Sequence, residues 1–249
     1  MAPATALIVS ERVVLVTGST SGIGEATARR FASLGDTVVF NSVRSVEQGE
    51  RLAGATPRSS YVQGDIAIDA DCERLIDEVL ARHGRLDVLV NNAGTTRVIP
   101  HQDLEAASLD VWREIFEVNV FGTWNMCVHA MDALRAVRGS IVNVSSMAGV
   151  RPTGSSIPYA ASKAALNHMT TLLAKVVGPD VRVNAVAPGL VDTPWTKDWD
   201  VVRGFVSAVA PLRRSGTPDD IADVIVSLAS SPYVTGQVVV VDGGLSLTT

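Results

Sequence analysis

The chain has 249 residues, of which 47% are hydrophobic and 19% charged, and its formal net charge at pH 7 is −5. The apolar content excludes an intrinsically disordered chain, and the acidic balance disfavours a nucleic-acid-binding protein. No apolar run reaches the ~20 residues that a bilayer crossing requires, so no membrane partner is predicted. Cys72 and Cys127 lack the Cys-x-x-Cys spacing of a redox pair, and residues 1–10 lack the Lys or Arg that opens a secretory signal. These features favour a reducing, cytoplasmic compartment.

Seven short runs rich in Val and Ile alternate with longer helical patterns along the chain. The runs are nearly continuous in apolar residues, which is typical of strands buried on both faces of a parallel sheet. The predicted strands lie at residues 13–16, 37–40, 60–62, 86–90, 140–144, 181–186 and 237–241. This order predicts one α/β domain over residues 1–249, a Rossmann-like doubly wound parallel sheet of about seven strands with helices on both faces.

Helical spacing and capping residues predict four helices in detail. They cover residues 24–34, residues 69–83, a long segment from Tyr159 to about Val177, and a segment that Thr217 caps and Pro218 opens. Residues 188–216 are predicted to be irregular. Trp195, Trp199 and Phe205 in this segment either line an apolar substrate pocket or anchor the loop to the core.

A glycine-rich turn at residues 17–24 follows the first strand and opens the first helix. Glycines let the backbone approach a diphosphate, and a helix N-terminus offers free N–H groups and partial positive charge. The turn therefore predicts a dinucleotide site, with an ordinary tight turn as the structural alternative. A P-loop NTPase is disfavoured because no Gly-Lys-Ser/Thr sequence ends the turn.

The end of the second strand bears on the choice of dinucleotide. A site that prefers NAD places Asp or Glu there, and residues 40–46 contain neither. Ser42 is small and neutral, and the guanidinium of Arg44 could hold a 2′-phosphate. NADP is therefore favoured and NAD remains an alternative, since Arg44 could equally be a solvated loop residue.

Tyr159 and Lys163 lie four residues apart and project from one helix face. A neighbouring ammonium is expected to lower the pKa of a phenol, which could then donate a proton to a developing alkoxide. Ser146 follows the fifth strand, where its hydroxyl could hydrogen-bond the reacting oxygen. Asn119 is a polar residue in an apolar helical stretch and is expected to need an internal partner.

This ordered set, together with Asn92, Ala93 and Gly94 after the fourth strand, resembles the short-chain dehydrogenase/reductase family. The resemblance runs from Thr17 to about Gly244. Within this family, the chain is similar to 3-oxoacyl-carrier-protein reductases. It implies that Tyr159 is the general acid/base, that Lys163 lowers its pKa and holds the nicotinamide ribose, and that Ser146 orients the carbonyl. It also implies that Asn119 holds a water in a proton relay to Lys163.

The resemblance further implies a set of cofactor-binding residues. Those in the turn are Gly18, Thr20, Ser21 and Ile23, and those beyond the second strand are Ser42 and Arg44. Asp65 and Ile66 would meet the adenine, and Asn92, Ala93 and Gly94 would flank the ribose. Pro188, Gly189, Val191 and Thr193 would pack on the nicotinamide and bind its carboxamide, with Tyr159 and Lys163 completing the set.

The sequence thus predicts an oxidoreductase that transfers a hydride between NADP(H) and a carbonyl or secondary alcohol, with 3-oxoacyl thioesters as the most specific candidate substrate. A homotetramer is implied by the resemblance, and no metal site is expected because no histidine falls in a ligand pattern. A carrier-protein partner would require a basic docking patch, for which Arg97, Arg151, Arg213 and Arg214 are candidates. A non-catalytic dinucleotide sensor and a methyltransferase are the competing functions.

Overall fold

The structure is a computed structural model that describes residues 12–248. The N-terminal segment, in which no secretory signal is predicted, lies outside the described residues. Seven parallel strands form one sheet in the order β3-β2-β1-β4-β5-β6-β7. The strands are β1 Val13–Val16, β2 Thr37–Ser42, β3 Ser59–Gln63, β4 Val88–Asn91, β5 Ser140–Val144, β6 Arg182–Pro188 and β7 Val238–Val241.

In the described part of the chain, eight α-helices connect and cover the strands. They are α1 Gly22–Ser33, α2 Val46–Ala55, α3 Asp69–His83, α4 Leu109–Phe116, α5 Thr123–Val137, α6 Ile157–Val177, α7 Asp200–Val209 and α8 Pro218–Ser230. A π-helical turn, Glu117–Gly122, joins α4 to α5. Within residues 12–248, none of the helices combines the length and apolar character needed to span a membrane.

The core has two apolar layers, one on each face of the sheet. Val13 and Leu15 of β1 point to the layer shared with α3, α5 and α6, whereas Val14 and Val16 point to the layer shared with α1, α2 and α8. Each fully buried aliphatic side chain contributes roughly 1.5–3 kcal/mol relative to an exposed one. The near-continuous apolar runs in the strands therefore stabilise both layers at once, and the predicted fold class is confirmed.

Strand order reverses between β1 and β4, since β2 and β3 lie on one side of β1 and β4 to β7 on the other. Open α/β sheets bind ligands in the crevice at this reversal, beyond the carboxyl ends of the strands. The glycine-rich turn follows β1, and Asn92 follows β4, so both lie at the crevice.

The prediction of an irregular segment at residues 188–216 is wrong in part, because α7 and a short 3₁₀ turn, Pro194–Thr196, lie within it. The predicted cap of α8 is confirmed. Thr217 Oγ1 accepts from the Asp220 backbone N–H at 3.2 Å, and the Asp220 carboxylate accepts from the Thr217 N–H at 2.7 Å. The Arg214 guanidinium and, after it, the Thr217 N–H that donates to the carboxylate hold the pKa of Asp220 below its usual value.

Candidate active site

A cleft of about 750 Å³ opens at the strand reversal, beyond the carboxyl ends of the strands. It brings together nearly all the residues that the sequence predicts for the site. These are Gly18, Ser21, Ile23, Ser42, Arg44, Asp65, Ile66, Asn92, Ala93, Gly94, Ser146, Tyr159, Lys163, Pro188, Gly189, Val191 and Thr193. Thr20 and Asn119 do not line the cleft, because Thr20 is buried in the turn and the amide of Asn119 is taken up by internal hydrogen bonds.

The glycine-rich turn is held by side chains of the neighbouring strands. Gly18 has φ +61°, and a Cβ there would lie 2.9 Å from the Ala93 Cα, so any larger residue would be strained and would strike backbone. The Asn92 side-chain amide donates to the carbonyls of Thr17 at 2.9 Å and Gly18 at 3.0 Å. Asn41, which the sequence analysis missed, accepts from the Gly18 N–H at 3.2 Å.

The N-terminus of α1 faces the cleft without a side-chain cap. Ser21 occupies the N-cap position in an extended conformation but makes no capping hydrogen bond, and Ser21, Gly22 and Ile23 all line the cleft. Free amide groups at a helix N-terminus attract anions through both hydrogen bonding and the helix dipole. The turn therefore fits the diphosphate of a dinucleotide.

Polar groups at the ends of β2 and β3 form the far wall of the cleft. The Ser42 hydroxyl lies 2.9 Å from the Tyr61 hydroxyl, which fixes its position. Asp65 Oδ1 accepts from the Ala67 N–H at 3.0 Å. Arg44 is exposed, and within the described part of the chain its guanidinium has no hydrogen bond or ion pair. The guanidinium is thus free to meet an anion.

Tyr159 and Lys163 lie in the first turns of α6, on the face that lines the cleft. The helix begins sharply because Ser156 caps it, its hydroxyl accepting from the Tyr159 N–H at 3.3 Å, with Pro158 in the first turn. The Lys163 ammonium lies 5.8 Å from the centre of the Tyr159 ring and donates to the Val144 carbonyl at 2.8 Å. Ser146, two residues beyond β5, lines the same part of the cleft.

The pKa of Tyr159 is raised in the chain by itself, not lowered as its spacing from Lys163 predicts. Burial raises the pKa of Tyr159, and the nearby Ser146 hydroxyl offsets only part of this effect. Burial also lowers the pKa of Lys163 to about 8. Removal from water disfavours each charged form, so the phenolate and the ammonium are both destabilised. Tyr159 is consequently a neutral phenol at pH 7 and can donate a proton.

Asn119 has the internal partners that its position requires. Its side chain donates to the Thr95 carbonyl at 3.0 Å and the Ser162 hydroxyl at 3.0 Å, and it accepts from the Thr95 N–H at 2.8 Å. It lies in the π-helical turn between α4 and α5, a distortion that is frequent at functional sites. These bonds tie the turn to α6 directly behind Lys163.

Gly94 occupies the narrow space between Asn119 and Lys163. A Cβ on Gly94 would lie 3.3 Å from Asn119 Oδ1 and 3.6 Å from Lys163 Nζ. Because Gly94 has no side chain, the Lys163 ammonium and the Asn119 amide oxygen both lie close to the position that a Cβ on this residue would occupy.

The end of the cleft beyond Tyr159 is mainly apolar. It is lined by Trp195, Trp199 and Phe205, which confirms the prediction that these residues line a pocket. Met147 and Leu245 line it as well. The sequence analysis did not single out Met147 or Leu245, because they follow strands without any pattern of their own. The spacing of Val202, Phe205, Val206 and Val209 is a helical signal that could have revealed α7.

Comparison with known proteins agrees with this arrangement. A family model described as Enoyl-(Acyl carrier protein) reductase matches residues 18–246. The chain is 55% identical over 239 residues to a granaticin polyketide synthase protein of Streptomyces violaceoruber that is named as a ketoacyl reductase, with 94% of this chain and 96% of the relative covered. It is 39% identical over 246 residues to the 3-oxoacyl-[acyl-carrier-protein] reductase FabG of Thermotoga maritima, with 94% and 97% covered.

A solved structure of a short-chain dehydrogenase/reductase from Burkholderia xenovorans superimposes with a TM-score of 0.90 at 38% identity, covering 96% of this chain and 99% of that one. The chain therefore belongs to the short-chain dehydrogenase/reductase family and is an oxidoreductase.

Proposed function

We propose that the protein uses NADPH to reduce a 3-oxoacyl thioester to the corresponding 3-hydroxyacyl thioester. The observation that carries the proposal is the convergence of Ser146, Tyr159 and Lys163 in one cleft with the uncapped N-terminus of α1. The 3-oxoacyl substrate is supported by the names of the two relatives, a ketoacyl reductase and a 3-oxoacyl-carrier-protein reductase.

The described residues fit a bound dinucleotide. The free amides of α1 would hold its diphosphate, and Asp65 with Ile66 would meet its adenine. Lys163 would hold the nicotinamide ribose, flanked by Asn92, Ala93 and Gly94. Pro188, Gly189, Val191 and Thr193 would contact the nicotinamide. When bound, the cofactor supplies the hydride, and the protein supplies placement and a proton.

The proton comes from Tyr159 in this proposal. Tyr159 would donate its phenolic proton to the carbonyl oxygen as that oxygen becomes an alkoxide, and the resulting phenolate would be reprotonated from solvent. Ser146 would donate a hydrogen bond to the same oxygen and orient it. Lys163 would stabilise the transient phenolate, and Asn119 would hold a water that passes a proton toward Lys163.

The preference for NADP over NAD rests on Arg44. Its guanidinium has no partner among the described residues, and no carboxylate stands at residues 40–46 to repel a 2′-phosphate. We expect Arg44→Ala to weaken NADPH binding about tenfold or more, since charge-assisted hydrogen bonds are lost, and to leave NADH binding nearly unchanged. Calorimetric titration with both cofactors measures this difference. An equal loss for both would remove the basis for preferring NADP.

The proposed function is tested by a panel of ketones, 3-oxoacyl thioesters and alcohols assayed with both cofactors at 340 nm. We expect oxidation of NADPH with a 3-oxoacyl thioester at a rate well above that of simple ketones. Tight NADPH binding without turnover of any panel member would favour a dinucleotide sensor. Binding of S-adenosylmethionine without NADPH binding would favour a methyltransferase.

We also propose a cytoplasmic homotetramer of single-domain chains, without nucleic-acid, membrane or metal partners. A carrier-protein partner would have to use the basic candidates named above. Two of these form ion pairs within the described structure, Arg97 with Glu114 at 2.9 Å and Arg214 with Asp220 at 2.6 Å. Arg151 donates to the Ser246 carbonyl near the mouth of the cleft at 3.3 Å.

A further inference from the structure

The aromatic ring of Trp195 lies beside Tyr159, the group that a reacting carbonyl must reach. The Trp195 ring meets the Tyr159 ring edge-on, with the ring centres 6.5 Å apart and an interplanar angle of 63°. Trp195 keeps 47% of its surface exposed, so a large part of the indole is uncovered beside the phenol. A group attached to a carbonyl that reaches the Tyr159 hydroxyl therefore lies next to this indole.

Polar contacts fix the turn that carries Trp195. Thr196 Oγ1 donates to the Val191 carbonyl at 2.6 Å and accepts from the Thr193 N–H at 3.2 Å. Arg203 in α7 donates to Asp192 at 2.9 Å and to the Thr196 carbonyl at 3.1 Å. Because the turn is tied at both ends, the indole is preorganised, and a ligand loses less free energy in ordering it.

Apolar residues accompany Trp195 in lining the cleft, and Thr196 beside it is engaged in hydrogen bonds within the turn. Met147, Val206 and Leu245 form a buried apolar cluster with Ala210. Four charged residues line the cleft, namely Arg44, Asp65, Glu114 and Lys163. Arg44 and Asp65 lie at the ends of β2 and β3, on the far side of β1 from Tyr159.

Glu114 is the charged group of the outer cleft, and its carboxylate is paired with Arg97 at 2.9 Å. Lys163 is the one cation among residues 12–248 that lines the cleft beside Tyr159; it donates to the Val144 carbonyl at 2.8 Å, and in the proposed function it holds the nicotinamide ribose and so does not pair with a substrate anion. A substrate with a free carboxylate or phosphate next to its carbonyl would lack a counter-charge there, and a sugar would leave many hydroxyls facing apolar rings. The chemistry of this wall fits an uncharged, flat, apolar group.

We propose, on the basis of the reductase function above, that Trp195 is a specificity-determining residue. It selects carbonyl substrates that carry an aryl or similarly flat apolar group on the reacting carbon, in preference to those that carry a short alkyl group. Trp199 and Phe205 line the same cleft.

Two thioesters of the same thiol, which differ only in the group on the reacting carbonyl, test this inference. We compare the N-acetylcysteamine thioesters of 3-oxo-3-phenylpropanoate and 3-oxobutanoate, with NADPH as reductant. In the wild type, kcat/KM for the phenyl substrate is expected to exceed that for the methyl substrate about tenfold or more. Trp195→Ala should reduce kcat/KM about tenfold for the phenyl substrate and less than about threefold for the methyl substrate. Trp195→Phe should keep most of the preference.

Matched controls separate recognition from general damage. Tyr233→Ala truncates an aromatic residue that is fully exposed and lies outside the cleft, and it should leave both kcat/KM values unchanged. The NADPH dissociation constant of Trp195→Ala, measured by calorimetry, should match that of the wild type, which reports that the fold and the cofactor site are intact.

Equal wild-type kcat/KM values for the two thioesters would overturn the inference and leave the reductase function standing. An equal loss on both substrates in Trp195→Ala would also overturn it, because Trp195 would then act only by holding Tyr159. Absence of turnover with every carbonyl of the panel would instead contradict the proposed function, and this inference with it.

Discussion

Lys163 has a pKa of about 8 because it is buried, although its side chain in water would titrate near 10.5. Between these two pH values the unfolded chain binds a proton that the folded chain does not. Free energy of unfolding rises with pH wherever the unfolded state binds more protons, so this lysine destabilises the fold at neutral pH and ceases to do so in base. The ammonium of Lys163 thus reduces the free energy of unfolding at neutral pH, a trade-off that is common at active sites.

We expect this effect to be absent in Lys163→Met. The free energy of unfolding of the wild type, measured relative to that of the variant, should increase by about 2 kcal/mol from about pH 7 to about pH 10. Urea denaturation of both proteins across this range provides the measurement, and titrations of groups distant from Lys163 cancel in the comparison. Parallel pH profiles for the two proteins would show that Lys163 titrates normally in the fold.

At the scale of the secondary-structure elements, turns and helix ends carry the residues of the cleft, and buried polar side chains hold these elements together. The buried amides of Asn91 and Asn143 are paired across β4 and β5 at 2.9 Å, and Asn143 donates to Thr170 Oγ1 of α6, also at 2.9 Å. This buried network ties the helix of Tyr159 and Lys163 to the centre of the sheet. Networks of this kind help to specify one arrangement of a core.

The glycine-rich turn allows a matched test at the scale of an element. Gly18→Ala would place a methyl group 2.9 Å from the Ala93 Cα at a φ of +61°, and we expect it to lower the free energy of unfolding by about 2 kcal/mol or more and to weaken NADPH binding. Gly54→Ala, in α2 with no atom within 4 Å of the new Cβ, should raise the free energy of unfolding by about 0.5–1 kcal/mol. Urea denaturation compares the two, and equal effects would contradict the role assigned to the turn.

Many of the strands and helix ends could be predicted from the sequence, because their local sequence signals are strong. Nearly continuous runs of Val, Ile and Leu located most of the strands, and Thr217 with Pro218 located the start of α8. Long-range contacts could not be predicted in the same way. The Asn91–Asn143 pairing depends on strand register, and the raised pKa of Tyr159 depends on burial that the helical spacing of Tyr159 and Lys163 does not reveal.

At the scale of the whole molecule, α5, α6 and the adjoining π-helical turn expose apolar side chains. Phe121, Trp124 and Val128 lie three and four residues apart, so they share one face, and each is about half exposed. Leu172 and Val176 form a second exposed pair on α6. Exposed apolar stripes of this kind are typical of subunit interfaces, which supports the proposed homotetramer.

We expect light scattering coupled to gel filtration to give the mass of four chains for the wild type. Trp124→Asp should shift the mass toward dimers or monomers, because an unpaired carboxylate would be buried at the interface. Val201→Asp, at an exposed position of α7 away from these stripes, is the matched control and should leave the mass unchanged. A monomeric wild type would contradict the proposed assembly.

The most direct test of the account is the turnover of Tyr159→Phe with NADPH and a 3-oxoacyl thioester. The substitution keeps the ring and its contact with Trp195 but removes the proton donor. We expect kcat to fall about 10²–10⁴-fold, the range of a lost general acid, while the NADPH dissociation constant changes less than about twofold. A kcat equal to that of the wild type would contradict the role of Tyr159 and the proposed reaction that depends on it.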